Sequence, residues 1–183
     1  MGMTSLTVNK VTLSLGSNLG KRKKNIKECI NYLQSFKEFH FIDVSSLYET
    51  SPMYNFNQKE FINCVLDCET TLKPLELLEM TQLIEIKMGR DKSSSQRNQP
   101  RKIDIDILTY NNEIIKENKL VIPHPSIAER KFVLIPLLEL KGNILIPGHY
   151  KKIEDLIKQL NKNSDKIRQC NYRINEEDIP YSN

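Results

Sequence analysis

The sequence predicts an α+β fold, a ferredoxin-like βαββαβ sandwich with added C-terminal elements. Two segments have the apolar spacing of helices, four have the pattern of strands, and their order along the chain matches this fold. The composition is 39% hydrophobic and 27% charged, so a chain of 183 residues can bury a core. Both core helices would then cover one face of the sheet and leave the other face available for ligands.

The first half of the pattern is a strand, a helix and two further strands. The helix is predicted because its apolar residues recur at i, i+3, i+4 and i+7, which places them on one face. These residues are Ile26, Cys29, Ile30 and Leu33. The strands are predicted at Val11 to Leu15, Phe39 to Tyr48 and Phe61 to Glu69. A turn follows the first strand, and a polar loop that contains Pro52 joins the other two.

The second half begins with a helix and continues into a strand. Pro74 suits a helix start, and apolar residues recur at helical spacing as far as Met88. The segment from Arg90 to Pro100 is the most polar stretch inside the fold, so it is predicted to be a mobile loop. Lys102 to Tyr110 alternates strictly between polar and apolar residues, which predicts a strand.

The C-terminal part adds smaller elements to this core. Asn111-Asn112 is predicted to be a hairpin turn into Glu113 to Ile115, and Lys152 to Leu160 a short amphipathic helix. We expect a single domain over residues 11–174, with an N-terminal extension at 1–10 and a polar tail at 175–183.

Charge and cysteine content narrow the class of function. The formal net charge of +4 suits a polyphosphate-binding enzyme and does not demand nucleic acid. The densest basic run, Lys21 to Lys24, is typical of a solvated helix start. The four cysteines form no CxxC pair, so reduced structural thiols are expected rather than a zinc site. A cytoplasmic location is expected, because the N-terminal residues lack the pattern of a signal peptide.

The sharpest chemical feature is a pair of aspartates in the alternating strand. Asp104 and Asp106 would point to one face, and the isoleucines around them to the other. Two carboxylates on one face repel each other unless a cation lies between them, and hard oxygen ligands suit Mg²⁺. A solvated strand face explains the alternation equally well. Arg101 and Lys102, just before the pair, favour a site for metal and polyphosphate.

Two further features are ambiguous by themselves. Phe61 and Asn63 share one face of a predicted strand, where they could bind a flat heteroaromatic ring or could be a partly covered Phe beside an incidental Asn. His124 stands between two prolines and could contact phosphate or simply form a turn. The turn that contains Gly16 precedes a helix, but it lacks the Walker spacing of an ATP-binding P-loop.

Taken together, these residues resemble the 6-hydroxymethyl-7,8-dihydropterin pyrophosphokinase family of folate biosynthesis. The resemblance runs from about Val11 to Leu160. The motifs are Leu15-Gly16-Ser17-Asn18-Leu19-Gly20, Ser46-Leu47-Tyr48-Glu49-Thr50, Phe61-Ile62-Asn63, Pro100-Arg101 with Asp104 and Asp106, and Pro123-His124-Pro125. The chain departs from the family at Asn98 and Gln99, where members often carry Trp and Gly, and it has no Trp at all.

The resemblance implies transfer of pyrophosphate from ATP to 6-hydroxymethyl-7,8-dihydropterin, with AMP as the other product. Two Mg²⁺ ions would be bound by Asp104 and Asp106. The implied catalytic residues are Arg90, Arg101, Asp104 and Asp106. The implied ATP ligands are Gln82, Glu85, Lys92, Ile107, Lys119, His124 and Arg130. The implied substrate-binding residues are Thr50, Ser51, Pro52, Met53, Phe61, Asn63 and Phe132, of which the two phenylalanines would sandwich the pterin ring.

Small-molecule substrates are the expected partners, with no nucleic acid, no membrane and a monomeric state. Two rival functions stay open. A nucleic-acid-binding module of the same fold would need aromatic and basic residues clustered on the open face, where Asp104 and Asp106 would instead repel phosphate in the absence of a metal. Another Mg²⁺-dependent transferase, such as a glycosyl or nucleotidyl transferase, could use the same aspartates but would not need the aromatic residues.

Overall fold

The computed structural model describes residues 7–53, 58–90, 99–160, 166–172 and 174, which form a mixed α and β fold. The strands are β1 (Asn9–Ser17), β2 (Phe39–Val44), β3 (Tyr48–Thr50), β4 (Phe61–Thr70), β5 (Asp104–Tyr110), β6 (Ile115–Lys116), β7 (Val121–Ile122) and β8 (Ile167–Gln169). The α-helices are α1 (Arg22–Gln34), α2 (Pro74–Lys87), α3 (Lys131–Lys141) and α4 (Ile153–Leu160). The predicted combination of helices with a sheet is therefore confirmed.

The main sheet is antiparallel, with its strands in the order β5, β1, β4, β3, β8. Strand β2 pairs with the same edge of β4 as β3 does, but farther along β4. The prediction of one continuous strand from Phe39 to Tyr48 is wrong in one respect, because residues 45–47 are not in a strand and separate β2 from β3. At this break the Ser45 Oγ accepts a hydrogen bond from the Val65 N–H at 2.9 Å, in place of a backbone carbonyl.

Helices α1 and α2 pack on one face of this sheet. The predicted apolar stripe of α1 is confirmed, since Ile26, Cys29, Ile30 and Leu33 are all fully buried. These residues belong to the same core cluster as apolar residues of β1, β4 and α2. Burial of a Leu or Ile side chain stabilises a fold by about 1.5–3 kcal/mol, so packing on the sheet is a main reason why this helix forms.

The opposite face of the sheet carries a cavity, in agreement with the prediction that it is available for ligands, but part of it is covered, which was not predicted. Helix α3 packs on β4 and contacts α4 beside it. Val65 of β4 and Leu108 of β5 form a second core cluster there with Val133, Leu134 and Leu137 of α3. In the described part of the chain, the cavity on this face lies near the end of β1 and the start of β5.

The strict alternation predicted for β5 holds only as far as Ile107. Ile107 pairs with Leu13 and Thr109 pairs with Thr12, so a β-bulge places Leu108 as an extra residue in the strand. Leu108 therefore enters the second core while Ile107 enters the first. The bulge lies just beyond the two aspartates, whose own alternation it leaves intact.

The chain after β5 departs from the predicted hairpin. Asn111 has φ 47°, in the left-handed region that such a turn requires, so the turn itself is confirmed. The next residues do not return along β5, because β6 pairs with β7 in a separate two-stranded sheet. The predicted helix at Lys152 to Leu160 is present as α4, whereas β8 was not predicted.

The described part of the chain contains no helix with the length and apolar character needed to cross a membrane. All four cysteines are free. Burial raises the pKa of the Cys29, Cys64 and Cys68 thiols, which therefore stay uncharged at neutral pH. This agrees with the expectation of structural thiols.

Candidate active site

A cavity of about 350 Å³ opens on the uncovered part of the second sheet face. Its floor is formed by β1, β4 and β5. Its sides are formed by α2, by the loop before β4 and by the start of α3. The predicted site residues that line it are Thr50, Ser51, Pro52, Met53, Phe61, Asn63, Gln82, Glu85, Arg90, Arg101, Asp104, Asp106, Arg130 and Phe132. Residues that were predicted from separate stretches of sequence thus share one space.

Four predicted ligands are not part of this lining. Lys92 lies outside the described residues, as does most of the predicted mobile loop, residues 91–98. Ile107 is buried in the first core and Lys119 does not line the cavity, so their contact with adenosine stays a prediction. His124 stands just behind the lining, with its Nε2 3.8 Å from the Asp106 Oδ2.

Gly16 lies at the centre of the cavity floor. It pairs with Asn63 on β4 and with Asp104 on β5, so these residues form a row across three strands. Neighbouring strands lie about 4.8 Å apart, which puts the backbones of Asn63 and Asp104 roughly 10 Å apart. A Cβ atom on Gly16 would lie 2.8 Å from the Asn63 Oδ1. The missing side chain therefore gives the Asn63 amide its place on the floor.

Asp104 and Asp106 both point into the cavity, and arginine side chains surround them. The Arg101 Nη1 donates to the Asp104 Oδ1 at 2.8 Å, and the Arg90 Nη1 approaches the same oxygen at 3.3 Å. The Arg130 Nη1 donates to the Asp106 Oδ2 at 2.6 Å. The guanidinium groups offset the mutual repulsion of the two carboxylates, and the same groups have the geometry to bind phosphate oxygens.

Glu85 is a third carboxylate, placed where α2 meets the edge of β5. Its Oε1 accepts a hydrogen bond from the Ile105 N–H at 3.0 Å, and its Oε2 lies 2.5 Å from the Arg90 Nη1. Burial, and after it the charge of Asp104, raise the pKa of Glu85 from its ordinary value to about 7. Arg90 and the Ile105 N–H act in the opposite direction, but burial outweighs them because the side chain is only 6% exposed.

His124 has the hydrogen bonding of a neutral imidazole. Its Nδ1 accepts a hydrogen bond from the Ser126 N–H at 3.1 Å, so the proton belongs on Nε2, the atom that faces Asp106. Burial lowers the pKa of His124, although the Asp106 charge opposes this shift. The backbone of His124 also belongs to a turn, since the Ile127 N–H donates to its carbonyl at 2.9 Å. The turn interpretation and the ligand interpretation are therefore compatible.

The aromatic side of the cavity contains Phe61, Phe132 and a fixed amide. The Asn63 Nδ2 donates to the Thr50 Oγ1 at 2.7 Å, and the amide is almost completely buried. This bond sets the orientation of the amide and directs its Oδ1 toward Gly16 on the floor. Near Phe132, the Arg130 guanidinium lies 5.7 Å from the ring centroid, so it connects the aromatic side with the carboxylates.

Six lining residues were not predicted as part of the site: Ser14, Gly16, Gln58, Leu78, Thr81 and Ile105. Ser14 and Gly16 had a detectable signal, because they alternate with Leu13 and Leu15 and so mark the second face of β1. Gln58 had none, since nothing in a polar loop distinguishes one amide from its neighbours.

Comparison with known proteins adds to this geometry. Residues 12–142 match the model of the family described as 7,8-dihydro-6-hydroxymethylpterin-pyrophosphokinase (HPPK). The Bacillus subtilis 2-amino-4-hydroxy-6-hydroxymethyldihydropteridine pyrophosphokinase is 40% identical over 132 residues, which cover 72% of this chain and 78% of that protein. The Pneumocystis carinii folic acid synthesis protein fol1 is 41% identical over 158 residues, or 82% of this chain. The chain spans only 21% of the length of that fungal relative.

A solved structure of Plasmodium falciparum HPPK-DHPS with pterin and p-hydroxybenzoate has a similar fold, with a TM-score of 0.64. The match covers 85% of this chain and 42% of that one. The sequence identity of 18% limits this likeness to the fold.

Proposed function

Because this chain belongs to the 7,8-dihydro-6-hydroxymethylpterin-pyrophosphokinase family, we propose that it transfers a pyrophosphate group from ATP to 6-hydroxymethyl-7,8-dihydropterin. The observation that carries this proposal is that Phe61, Phe132 and Asn63 share one cavity with Asp104 and Asp106. A flat ring and a polyphosphate chain can therefore lie side by side. The activity as a step of folate biosynthesis agrees with the names of the relatives.

The proposed reaction is attack of the pterin hydroxymethyl oxygen on the β-phosphorus of ATP. A new P–O bond forms, the bond from the β-phosphorus to the α,β-bridging oxygen breaks with its electron pair leaving on AMP, and the hydroxyl proton is released to solvent water. Arg90, Arg101 and Arg130 would exchange their carboxylate contacts for phosphate oxygens and hold the chain in line. Catalysis of this kind rests mainly on positioning and on charge stabilisation.

Asp104 and Asp106 fit the requirements of Mg²⁺. Mg²⁺ is usually bound by one or two carboxylates, with waters and substrate phosphates completing its octahedral shell. The described residues contain no cluster of three or more His, Cys, Asp or Glu side chains, which suits a site that the substrate completes. Two ions are proposed, and when bound they would neutralise phosphate charge and polarise the transferred group. The side chain of His124 would contact the phosphates beside them.

We also propose that the fold is the ferredoxin-like sandwich that the sequence predicts. Support comes from the strand order β5, β1, β4, β2, which is antiparallel, and from α1 and α2 on a shared face. The cytoplasmic location and the monomeric state stay predictions.

Product analysis is the decisive test of the proposed function. Purified protein with ATP, Mg²⁺ and 6-hydroxymethyl-7,8-dihydropterin should produce AMP and the pterin pyrophosphate in equal amounts. Asp104→Asn should reduce the rate by at least about 10³-fold, while Asp155→Asn, at a half-exposed carboxylate of α4, should not change it. Release of ADP, or no pterin-dependent loss of ATP, would overturn the proposal.

A further inference from the structure

Asn18 is a buried polar residue in the turn between β1 and α1, and it does not line the cavity. Its backbone N–H donates to the Arg101 carbonyl at 3.1 Å. Its side-chain Oδ1 accepts a hydrogen bond from the Arg101 N–H at 2.8 Å. Asn18 therefore binds both backbone polar groups of a single residue in the cavity wall, although the two residues are far apart in sequence.

These two hydrogen bonds extend the pairing of β1 with β5 beyond its regular end. The last paired residues there are Gly16 and Asp104. Farther along, a side-chain carbonyl supplies the acceptor that the backbone of β1 no longer offers. The backbone of Arg101 is thus held in line with β5, and its side chain reaches the Asp104 Oδ1 at 2.8 Å. A long guanidinium side chain can be placed accurately only if its backbone is fixed.

The amide nitrogen of Asn18 binds a segment on the other side of the cavity. The Asn18 Nδ2 donates to the Gln58 Oε1 at 2.9 Å. Gln58 lines the cavity in the loop that leads into Phe61 and Asn63. One buried amide thus connects the segment that carries Arg101 with the segment that leads to the aromatic side.

We infer that Asn18 is a positioning residue for the proposed reaction, on which this inference rests. It does not touch substrate. It sets the spacing between the phosphate side of the cavity, through Arg101, and the ring side, through Gln58. Loss of its side chain would leave the fold able to form, but it would remove the link between the segment of Arg101 and the segment of Gln58. Displacement by about 1 Å can slow a reaction by about 10²-fold, so a contact of this kind matters to rate.

A purely structural role is the alternative, and Asn25 of α1, whose side chain bonds to both neighbours of Asn18, provides a matched control. Asn25 is also a buried asparagine, and its Nδ2 donates to the Ser17 Oγ at 3.1 Å and to the Leu19 carbonyl at 2.7 Å. It stabilises the turn that contains Asn18, but neither Ser17 nor Leu19 lines the cavity. Asn18→Ala and Asn25→Ala therefore remove comparable hydrogen bonds from one turn, and only the first releases the cavity walls.

The experiment compares Asn18→Ala, Asn18→Asp and Asn25→Ala in melting temperature, in kcat, and in KM for each substrate. Asn18→Ala should lower kcat/KM by about 10- to 100-fold for both substrates. Asn18→Asp keeps the acceptor for the Arg101 N–H, and Gln58 can rotate its amide to donate, so activity should return to within about threefold of wild type. Asn25→Ala should lose melting temperature but stay within about threefold in kcat.

Equal losses of activity in Asn18→Ala and Asn25→Ala, in proportion to their losses of melting temperature, would overturn the inference. So would a lack of recovery in a folded Asn18→Asp variant. Calorimetric binding of a non-hydrolysable ATP analogue with Mg²⁺ provides a readout without turnover, and its affinity should fall in Asn18→Ala alone. If wild type forms no AMP, the proposed function fails. An affinity that falls in Asn18→Ala alone then still supports the positioning of Arg101, and equal affinities overturn it.

Discussion

At the scale of single residues, the arginine contacts determine what substitution of the aspartates should do to stability. Repulsion between Asp104 and Asp106 alone would make removal of either one neutral or slightly stabilising. The structure opposes this expectation for Asp104, because Arg90 and Arg101 both approach its Oδ1. Without that carboxylate, the positive charges of the two guanidinium groups would repel each other with less negative charge nearby to offset the repulsion.

We therefore expect Asp104→Ala to lower the free energy of unfolding in metal-free buffer. The loss should be modest, about 1 kcal/mol or less, because the Asp104 side chain is 28% exposed and solvent screens such pairs. Urea unfolding with a chelator measures this quantity. A stability equal to or above that of wild type would mean that repulsion outweighs the arginine contacts.

Phe132 allows a second test at this scale, because it lines the cavity and also packs against the second core. Phe132→Ala should weaken pterin binding much more than ATP binding, since stacking on an aromatic face contributes on the order of 1 kcal/mol. Isothermal calorimetry with each ligand separates the two effects. Leu138→Ala is the control, because Leu138 packs in the same cluster but does not line the cavity. Equal weakening of both ligands by Phe132→Ala would place the ring slot elsewhere.

At the scale of elements, Glu85 links α2 to the edge of β5, because its carboxylate accepts a hydrogen bond from the Ile105 N–H. Its pKa is raised from the ordinary value of 4.5 to about 7 in the folded chain. Between these pH values the folded state binds more protons than the unfolded state, so stability should fall as pH rises. The full effect is at most on the order of 3 kcal/mol.

Glu85→Gln should remove this dependence, because an amide does not titrate in this range. Unfolding curves of the metal-free protein at several pH values from about 4.5 to 8 would show a smaller decrease of stability in Glu85→Gln than in wild type. Parallel pH profiles for the two proteins would contradict the assignment of the raised pKa to Glu85.

The elements that sequence reasoning missed share a physical cause. Helix α3 contains Pro136, which cannot donate the intrahelical hydrogen bond and is read in sequence as a helix breaker. Burial of Val133, Leu134 and Leu137 against the sheet outweighs this local cost. Strand β8, Ile167–Gln169, has too few residues for a period to be visible, and it forms because β3 offers it an edge.

At the scale of the whole molecule, local patterns predicted the site better than they predicted its surroundings. Alternation in β5 and β4 correctly places Asp104 with Asp106 and Phe61 with Asn63 on one sheet face. How much of that face stays open depends on α3, a contact between distant parts of the chain. Hydrogen bonds such as that of Asn18 with Arg101 also join distant segments, and no local pattern reports them.

The row Asn63, Gly16, Asp104 sets a fixed distance across the sheet. Strand spacing is set by backbone hydrogen bonds and hardly varies, so the distance between the backbones of Asn63, the proposed ligand of the pterin ring, and Asp104 is fixed at about two strand intervals. A substrate must match this length with its own covalent frame. An analogue whose side arm is one methylene longer would carry its hydroxyl past the point of attack by more than 1 Å, a misplacement that can cost about 10²-fold in rate. Selectivity for arm length would then reside in the backbone itself, where side-chain substitution can do little to relax it.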